Sequence, residues 1–218
     1  ASPEPNFRIL GLRVARLAGR DPVELASNLA ADADARVRRE AALALQHFAD
    51  ERAVAPLAEL AKGYDGRDRW YLEAWAIGAR GKEEAVAARL LEDAKGEFSP
   101  RLADFLWQLK PRDALPLLTK AVGDEKLPID DRLRALRAIG DRPEAAAGRY
   151  FASLAGTADR KLSEAAFDKL SRQLFSQWVE LRKDPAVVAA VRRGHAEPAQ
   201  QAAARELTDA LGAPPNGP

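Results

Sequence analysis

An aliphatic residue returns along this chain at nearly constant intervals. Leu45, Ile77, Leu109, Ile139 and Leu170 are separated by 32, 32, 30 and 31 residues. A second register, Arg38, Arg69, Arg101 and Arg132, recurs at spacings of 31, 32 and 31. A period of this size constrains the fold strongly. Each repeat is one supersecondary unit that cannot bury its apolar face alone, so neighbouring units must stack.

The unit is clearest from Asp34 to Lys62. Asp34 is a predicted N-cap, its carboxylate accepting from free N–H groups of the first turn. Val37, Ala41, Ala44 and Phe48 then recur on one face. Ala41, Ala42 and Ala44 are small enough to let another helix approach closely. The polar turn Asp50-Glu51-Arg52 leads to a second helix with Val54, Leu57, Ala58 and Ala61 at i, i+3, i+4 and i+7. Gly63 follows where a left-handed C-terminal cap belongs. Helices of this length are marginal alone, since about 12–15 residues is already borderline in water. Their order must come from stacking.

The same punctuation continues through the chain. Helices are predicted around Phe7–Leu17, after the Asp21-Pro22 cap, over Asp68–Ala79, Lys82–Lys95, Ser99–Leu109 and Arg112–Val122, from Pro128, from Pro143, over Asp159–Phe175, and over about Pro198–Leu211. The spacing loosens between Trp178 and Arg193. Residues 1–5 and 213–218 read as linker ends, and 1–218 as one domain. The expected fold is all-α: a right-handed α-α superhelix, or solenoid, of about five to six helix pairs.

Composition narrows the function classes. There are 34 basic and 33 acidic residues, whereas a nucleic-acid binder usually shows a basic excess or stripe. Cysteine is absent, which excludes a disulfide framework, a thiolate zinc site and a cysteine nucleophile. No run approaches the roughly 18 apolar residues of a membrane span. Methionine is absent even at position 1, so the chain is expected to be a processed product or a piece of something longer.

The block Asp34-Ala-Arg-Val-Arg-Arg-Glu-Ala-Ala-Leu-Ala-Leu, with the arginine register, resembles the HEAT-repeat family, most closely over Asp21–Gly156. That resemblance implies a helical solenoid serving as a protein-interaction scaffold. A narrower block, Gly63-Tyr-Asp-Gly-Arg-Asp-Arg-Trp-Tyr-Leu-Glu-Ala, looks like the helical segment of large exported bacterial proteins. In those, a glucose/sorbosone-dehydrogenase-like propeller precedes the repeats and a c-type haem domain follows. The resemblance implies a periplasmic or exported location. No Cys-x-x-Cys-His stands in this chain, so no haem or other cofactor is expected here.

Several residues are of types that can carry chemistry or binding. Three of the four arginines have an acid four positions earlier, Asp34, Asp65 or Glu97, which favours inter-repeat bonding over phosphate binding. Trp70, at core spacing, is expected to be buried. Tyr71 and Trp75, a third of a turn away, are expected to line a surface and bind, with Asp68 and Glu73 beside them; Trp107 belongs to the same aromatic group. Asp65, Asp68 and Glu73 could form a catalytic carboxylate cluster, but Asp65 and Asp68 sit where N-caps belong. His47 and His195 have no paired ligand spacing, so no metal is expected. Ser163, Ser171 and Ser176 have no nucleophile elbow. The leading expectation is a non-catalytic scaffold whose inner surface, made mostly from second helices, contacts a protein partner or a neighbouring domain. The alternative is a HEAT-like DNA-binding protein or DNA glycosylase. A HEAT-like bilin lyase is a third possibility.

Overall fold

A computed structural model describes residues 2–48, 51–198 and 200–211, with the side chains of His195 and Ala210 left aside. Asp50, at the start of the predicted polar turn, and the predicted 213–218 linker lie outside those residues. The chain is all-α. Among the described residues there are thirteen α-helices and no strand, and the helices pack in neighbouring pairs as in a HEAT-like α-solenoid.

Two compact units divide at Leu117–Leu118. In the first, α1 (Pro5–Leu17), α3 (Ala35–Ala44), α5 (Arg69–Ala79) and α7 (Pro100–Leu109) are the first helices of successive pairs. They pack in sequence order, α1 on α3, α3 on α5 and α5 on α7. The second helices, α2 (Pro22–Leu29), α4 (Val54–Lys62) and α6 (Glu83–Ala94), make a parallel row, α2 on α4 and α4 on α6. Helix α8 (Leu115–Gly123) spans the boundary. The second unit holds α9 (Ile129–Gly140), α10 (Ala145–Leu154), α11 (Arg160–Gln173), α12 (Pro185–Ala196) and α13 (Gln201–Leu211). There α11 packs on α9, α10 and α13, and α12 on α10 and α13. The loosely patterned stretch before α12 is a 3-10 turn, Val179–Lys183, not a continuous helix.

The starts of these helices follow their caps. Side chains of Asp21, Asp34, Asp68, Ser99, Asp159 and Asp184 accept from backbone N–H groups two or three residues on, at 2.8–3.2 Å. Each satisfies one of the orphan donors of a first turn.

The aliphatic register is the core at four of its five positions. Leu45, Leu109, Ile139 and Leu170 are buried, while Ile77 is only half-buried. Counting from the N-caps explains the exception. Leu45 stands eleven residues after Asp34, and Ala79 stands eleven after Asp68. Ala79 is fully buried and takes the equivalent place. Two close approaches hold the first unit together. A Cβ on Gly78 would lie 2.3 Å from the backbone oxygen of Ala42, so α5 lies almost against α3. Gly63 is not a left-handed cap, as its φ is −79°. It is glycine because a Cβ there would meet Arg38 Nε at 2.4 Å.

The second unit is centred on Trp178. Its indole is fully buried, donates through Nε1 to the Arg142 carbonyl at 2.8 Å, and tilts against Phe151 with centroids 5.4 Å apart. Gly148 makes room for it: a Cβ there would lie 3.0 Å from the indole ring.

Candidate functional site

Helix α5 carries most of the residues singled out for binding, and its orientation reverses part of that expectation. Tyr71 and Trp75 are buried, at 2% and 0% exposure, whereas Trp70 is 73% exposed. The reason lies in their polar atoms. A buried phenol or indole needs a partner. Tyr71 Oη donates to the Leu60 carbonyl at 2.6 Å, and Trp75 Nε1 donates to the Leu57 carbonyl at 2.8 Å. Both acceptors lie on α4. Tyr64 stacks near Tyr71 and meets the edge of Phe105, which in turn tilts against Trp75 at 4.4 Å. Tyr71 and Trp75 therefore belong to the core of the first unit and not to a surface. Trp107, on α7, is half-buried.

Turning Tyr71 and Trp75 inward turns Trp70 outward. Trp70, Glu73, Ala74 and Ile77 form one wall of a groove of about 420 Å³. Arg36, Arg39, Glu40 and Leu43 of α3 form the floor and second wall, with Ile9 and Arg13 of α1 at the end. Of the predicted binding residues, Glu73 lines this groove. Its carboxylate lies 3.6 Å from Arg69 Nε. Asp68 caps α5 at the groove's edge and stands 3.9 Å from Arg39 Nη1. The other charges are paired as well: Arg13 makes two bonds to Glu40, at 2.9 and 2.7 Å, and Arg36 two to Asp34, at 3.1 and 2.8 Å. The groove therefore offers apolar surface between fixed ion pairs. On the second-helix side, α4, α6 and the start of α7 enclose another hollow of about 400 Å³, lined by Leu90, Phe98 and Phe105 with Lys62, Asp93 and Arg101 at its rim.

The predicted arginine ladder is carried by two of its four members. Arg38 Nη2 donates to the Gly63 carbonyl of the following turn at 2.9 Å, and Nη1 donates to the Asp32 and Ala33 carbonyls. Its guanidinium also lies over the Tyr71 ring, 5.5 Å from the centroid. Arg132 donates through Nε to the Val122 carbonyl at 2.8 Å and through Nη1 to Asp159, the cap of α11, at 3.0 Å. Both stand four residues after an N-cap position, Asp34 and Pro128. Arg69 stands one residue after its cap and Arg101 two. Arg69 is 82% exposed in its side chain and pairs with Glu73 on its own helix. Arg101 is exposed, its stem alongside Gly66. The acid four residues before Arg69 serves backbone instead. Asp65 accepts from Arg67 N and Asp68 N at 2.7 and 2.8 Å, and these bonds hold its carboxyl below the usual range.

That use of Asp65 and Asp68 leaves the proposed carboxylate cluster without a free pair. Ser163 is buried and accepts from the Gly156 N–H, Ser171 donates to the Asp168 carbonyl, and Ser176 to Gln173. His47 is exposed in the turn after α3, and the side chain of His195 lies outside the described residues. Among the described residues no group of three or more His, Cys, Asp or Glu side chains could hold a metal ion, and no helix is long and apolar enough to cross a membrane.

Sequence reasoning missed Trp70, Arg36 and Arg39 as surface residues. The signal was present but degenerate. On α5, Trp70, Ala74 and Ile77 follow i, i+4, i+7, and so do Tyr71, Trp75 and Gly78. Only the second set includes a glycine that can touch the backbone of α3.

The PBS lyase HEAT-like repeat family matches residues 37–63, from the first turn of α3 through α4 to the glycine that receives Arg38. This supports a HEAT-repeat family. No curated protein matches the chain.

Proposed function

We propose that this chain is a non-catalytic protein-interaction module and that its first unit engages its partner through the Trp70 groove. The observation carrying this reading is the 73% exposure of Trp70 in a helix that buries two other large aromatics. Tryptophan and arginine are both among the residue types enriched at interface hot spots. HEAT-like repeats commonly mediate protein interaction or scaffolding. The groove lies on the first helices, so this reading moves the binding surface away from the second-helix face suggested by sequence. The partner is another protein or a neighbouring domain. The Gly63–Ala74 block supports a role as the helical module of a larger exported dehydrogenase and c-type haem protein.

The test is selection of displayed peptides on the full chain, compared with a Trp70→Ala variant. Peptides with aromatic or aliphatic anchors are expected to be enriched by the parent chain and to bind the variant at least tenfold more weakly. The variant's thermal melt is expected to be unchanged, because Trp70 makes little of the core. Duplex DNA is expected to show no binding even at low salt, where phosphate contacts are strongest. Equal peptide binding by parent and variant would remove the groove from the reading, and salt-sensitive DNA binding would replace it with the nucleic-acid alternative.

A further inference from the structure

Arginines of the first unit fall into two groups by how their N–H groups are used. Arg8 and Arg38 are committed to the fold. Arg8 donates through Nε and Nη2 to Asp32 and through Nη1 to the Ser2 and Pro3 carbonyls, and its side chain is 13% exposed. Arg38 donates to three carbonyls. The arginines on and beside the Trp70 groove are used differently. Arg16, Arg39 and Arg69 stand 4.0, 3.9 and 3.6 Å from the nearest carboxylates, Glu40, Asp68 and Glu73. Those distances are too long for a hydrogen bond. Arg13 and Arg36 are bonded through Nε and Nη2, which leaves Nη1 of each without a partner among the described residues.

The acids of these pairs do not cancel the positive charge where a partner would meet it. Glu40 is 9% exposed and lies beneath both Arg13 and Arg16. Asp34 and Asp68 accept from the first turns of α3 and α5, through Arg36 N and Tyr71 N. Each therefore offsets the positive end of a helix as well as an arginine. The side chains of Arg13 and Arg36 are 59% and 52% exposed, against 11% and 21% for Glu40 and Asp34. The groove thus turns cations with open N–H groups toward solvent and keeps most of its carboxylate charge underneath.

Between those cations the surface is apolar, with Leu43, Trp70, Ala74 and Ile77. A partner has to match both features. A phosphate backbone would suit the arginines but would leave the apolar wall unused and bring its dense charge against Glu73. A carboxylate fits the planar guanidinium fork in the bidentate manner. Protein segments carry carboxylates next to the aliphatic and aromatic side chains that the apolar wall needs.

We infer that the segment received by the Trp70 groove is acidic: a stretch of protein with an aliphatic or aromatic anchor for the groove and flanking Asp or Glu side chains for the open N–H groups of Arg13, Arg36, Arg39 and Arg69. This rests on the Trp70 groove as the binding surface and adds the charge of what it takes.

The test begins with a random peptide library, balanced in acidic and basic residues and displayed on phage, passed over the full chain and over Trp70→Ala. Peptides kept by the parent and lost by the variant are expected to be rich in Asp and Glu beside an anchor. The strongest of them is then synthesised together with a counterpart in which every Asp and Glu is replaced by its amide. The amide peptide is expected to bind roughly tenfold more weakly, the loss of at least one charge-assisted hydrogen bond, and only the acidic peptide is expected to weaken with added salt. The double substitution Arg39→Gln, Arg69→Gln is expected to weaken the acidic peptide similarly and to leave the amide peptide unaffected. Its thermal melt is expected to be unchanged, because neither guanidinium is hydrogen-bonded in the fold. Arg39→Glu, Arg69→Glu is expected to select basic peptides from the same library. Trp70-dependent peptides with no acidic excess, or an amide counterpart that binds equally well, overturn the inference and leave the groove as a neutral apolar site. Peptides kept equally by Trp70→Ala, or a library from which the parent enriches nothing, remove the groove itself and the inference with it. Duplex DNA that binds the parent and not Arg39→Gln, Arg69→Gln overturns it in favour of a phosphate partner.

Discussion

Two arginines of the same sequence register do different work, and the difference is one of position relative to a cap. Arg38 places its planar fork on three carbonyls and its face on Tyr71. Arg69 makes one exposed i, i+4 pair with Glu73. Hydrogen bonds from a charged donor contribute about 1.5–3 kcal/mol when partly shielded, whereas exposed pairs contribute about 0–1 kcal/mol. Arg38→Ala is therefore expected to lower stability by about 2 kcal/mol, and Arg69→Ala by no more than about 0.5 kcal/mol. Urea melts of the two variants test this, and equal losses would mean the ladder is set by spacing after all. Spacing alone could not show the distinction, because the caps do not keep the arginine period: Asp68 follows Asp34 by 34 residues while Arg69 follows Arg38 by 31, which puts Arg69 at the helix start. The same shift explains the aliphatic register. Leu45→Ala should cost about 2–5 kcal/mol as a fully buried truncation, and Ile77→Ala less than about 1.5 kcal/mol, since that side chain already meets water in part.

Most of the helices were legible because their boundaries are set by local chemistry. Asp21, Asp34, Asp68, Ser99 and Asp159 cap through their own side chains, and Pro22 and Pro100 occupy first turns. These signals need no knowledge of the partner helix. Which face of a helix is buried does need it. Helix α5, Arg-Trp-Tyr-Leu-Glu-Ala-Trp-Ala-Ile-Gly-Ala, is apolar around most of its circumference, so periodicity offers two faces. The choice is made by Leu57 and Leu60 carbonyls on α4, which accept from Trp75 and Tyr71, and by Ala42 on α3, which lies against Gly78. The site was misplaced for that reason: Trp70 is exposed because of contacts made on the far side of its helix. Gly78→Ala isolates the closest of those contacts. Alanine is the better helix former by up to about 1 kcal/mol, but its Cβ would be driven into a backbone oxygen that cannot move alone. Overpacking of this kind costs about 1–3 kcal/mol. The expected net result is destabilisation, seen as a lower urea midpoint. A variant as stable as the parent would show that α3 and α5 can separate without loss.

Across the whole molecule, stability at low pH depends on the carboxylates at helix starts and turns. Hydrogen bonding to Arg36 holds the Asp34 carboxyl down to about 2. Asp32 is lowered chiefly by its bond to Arg8, Asp184 by its bond to Arg149, Asp21 by the Val23 N–H and Asp65 by the Asp68 N–H. All five are depressed relative to an ordinary value of 3.8. Between the folded and unfolded values the unfolded chain binds more protons, so stability falls as pH falls. The contribution is complete above about 3.8 and is lost as the pH passes down through the folded values. In a repeat stack each pair is ordered by its neighbours, so a weakened cap is felt by the helices beside it as well. Urea melts at pH 5, 4, 3 and 2 are expected to show a midpoint that declines most steeply below pH 4. Asp34→Asn keeps a side chain able to cap but has no proton to gain and no charge for Arg36. It is expected to be less stable than the parent at pH 5 and to approach it at pH 2. Curves that stay parallel over the whole range would mean that Asp34 bears no charge-dependent share of the stability, whatever its bonds to Arg36.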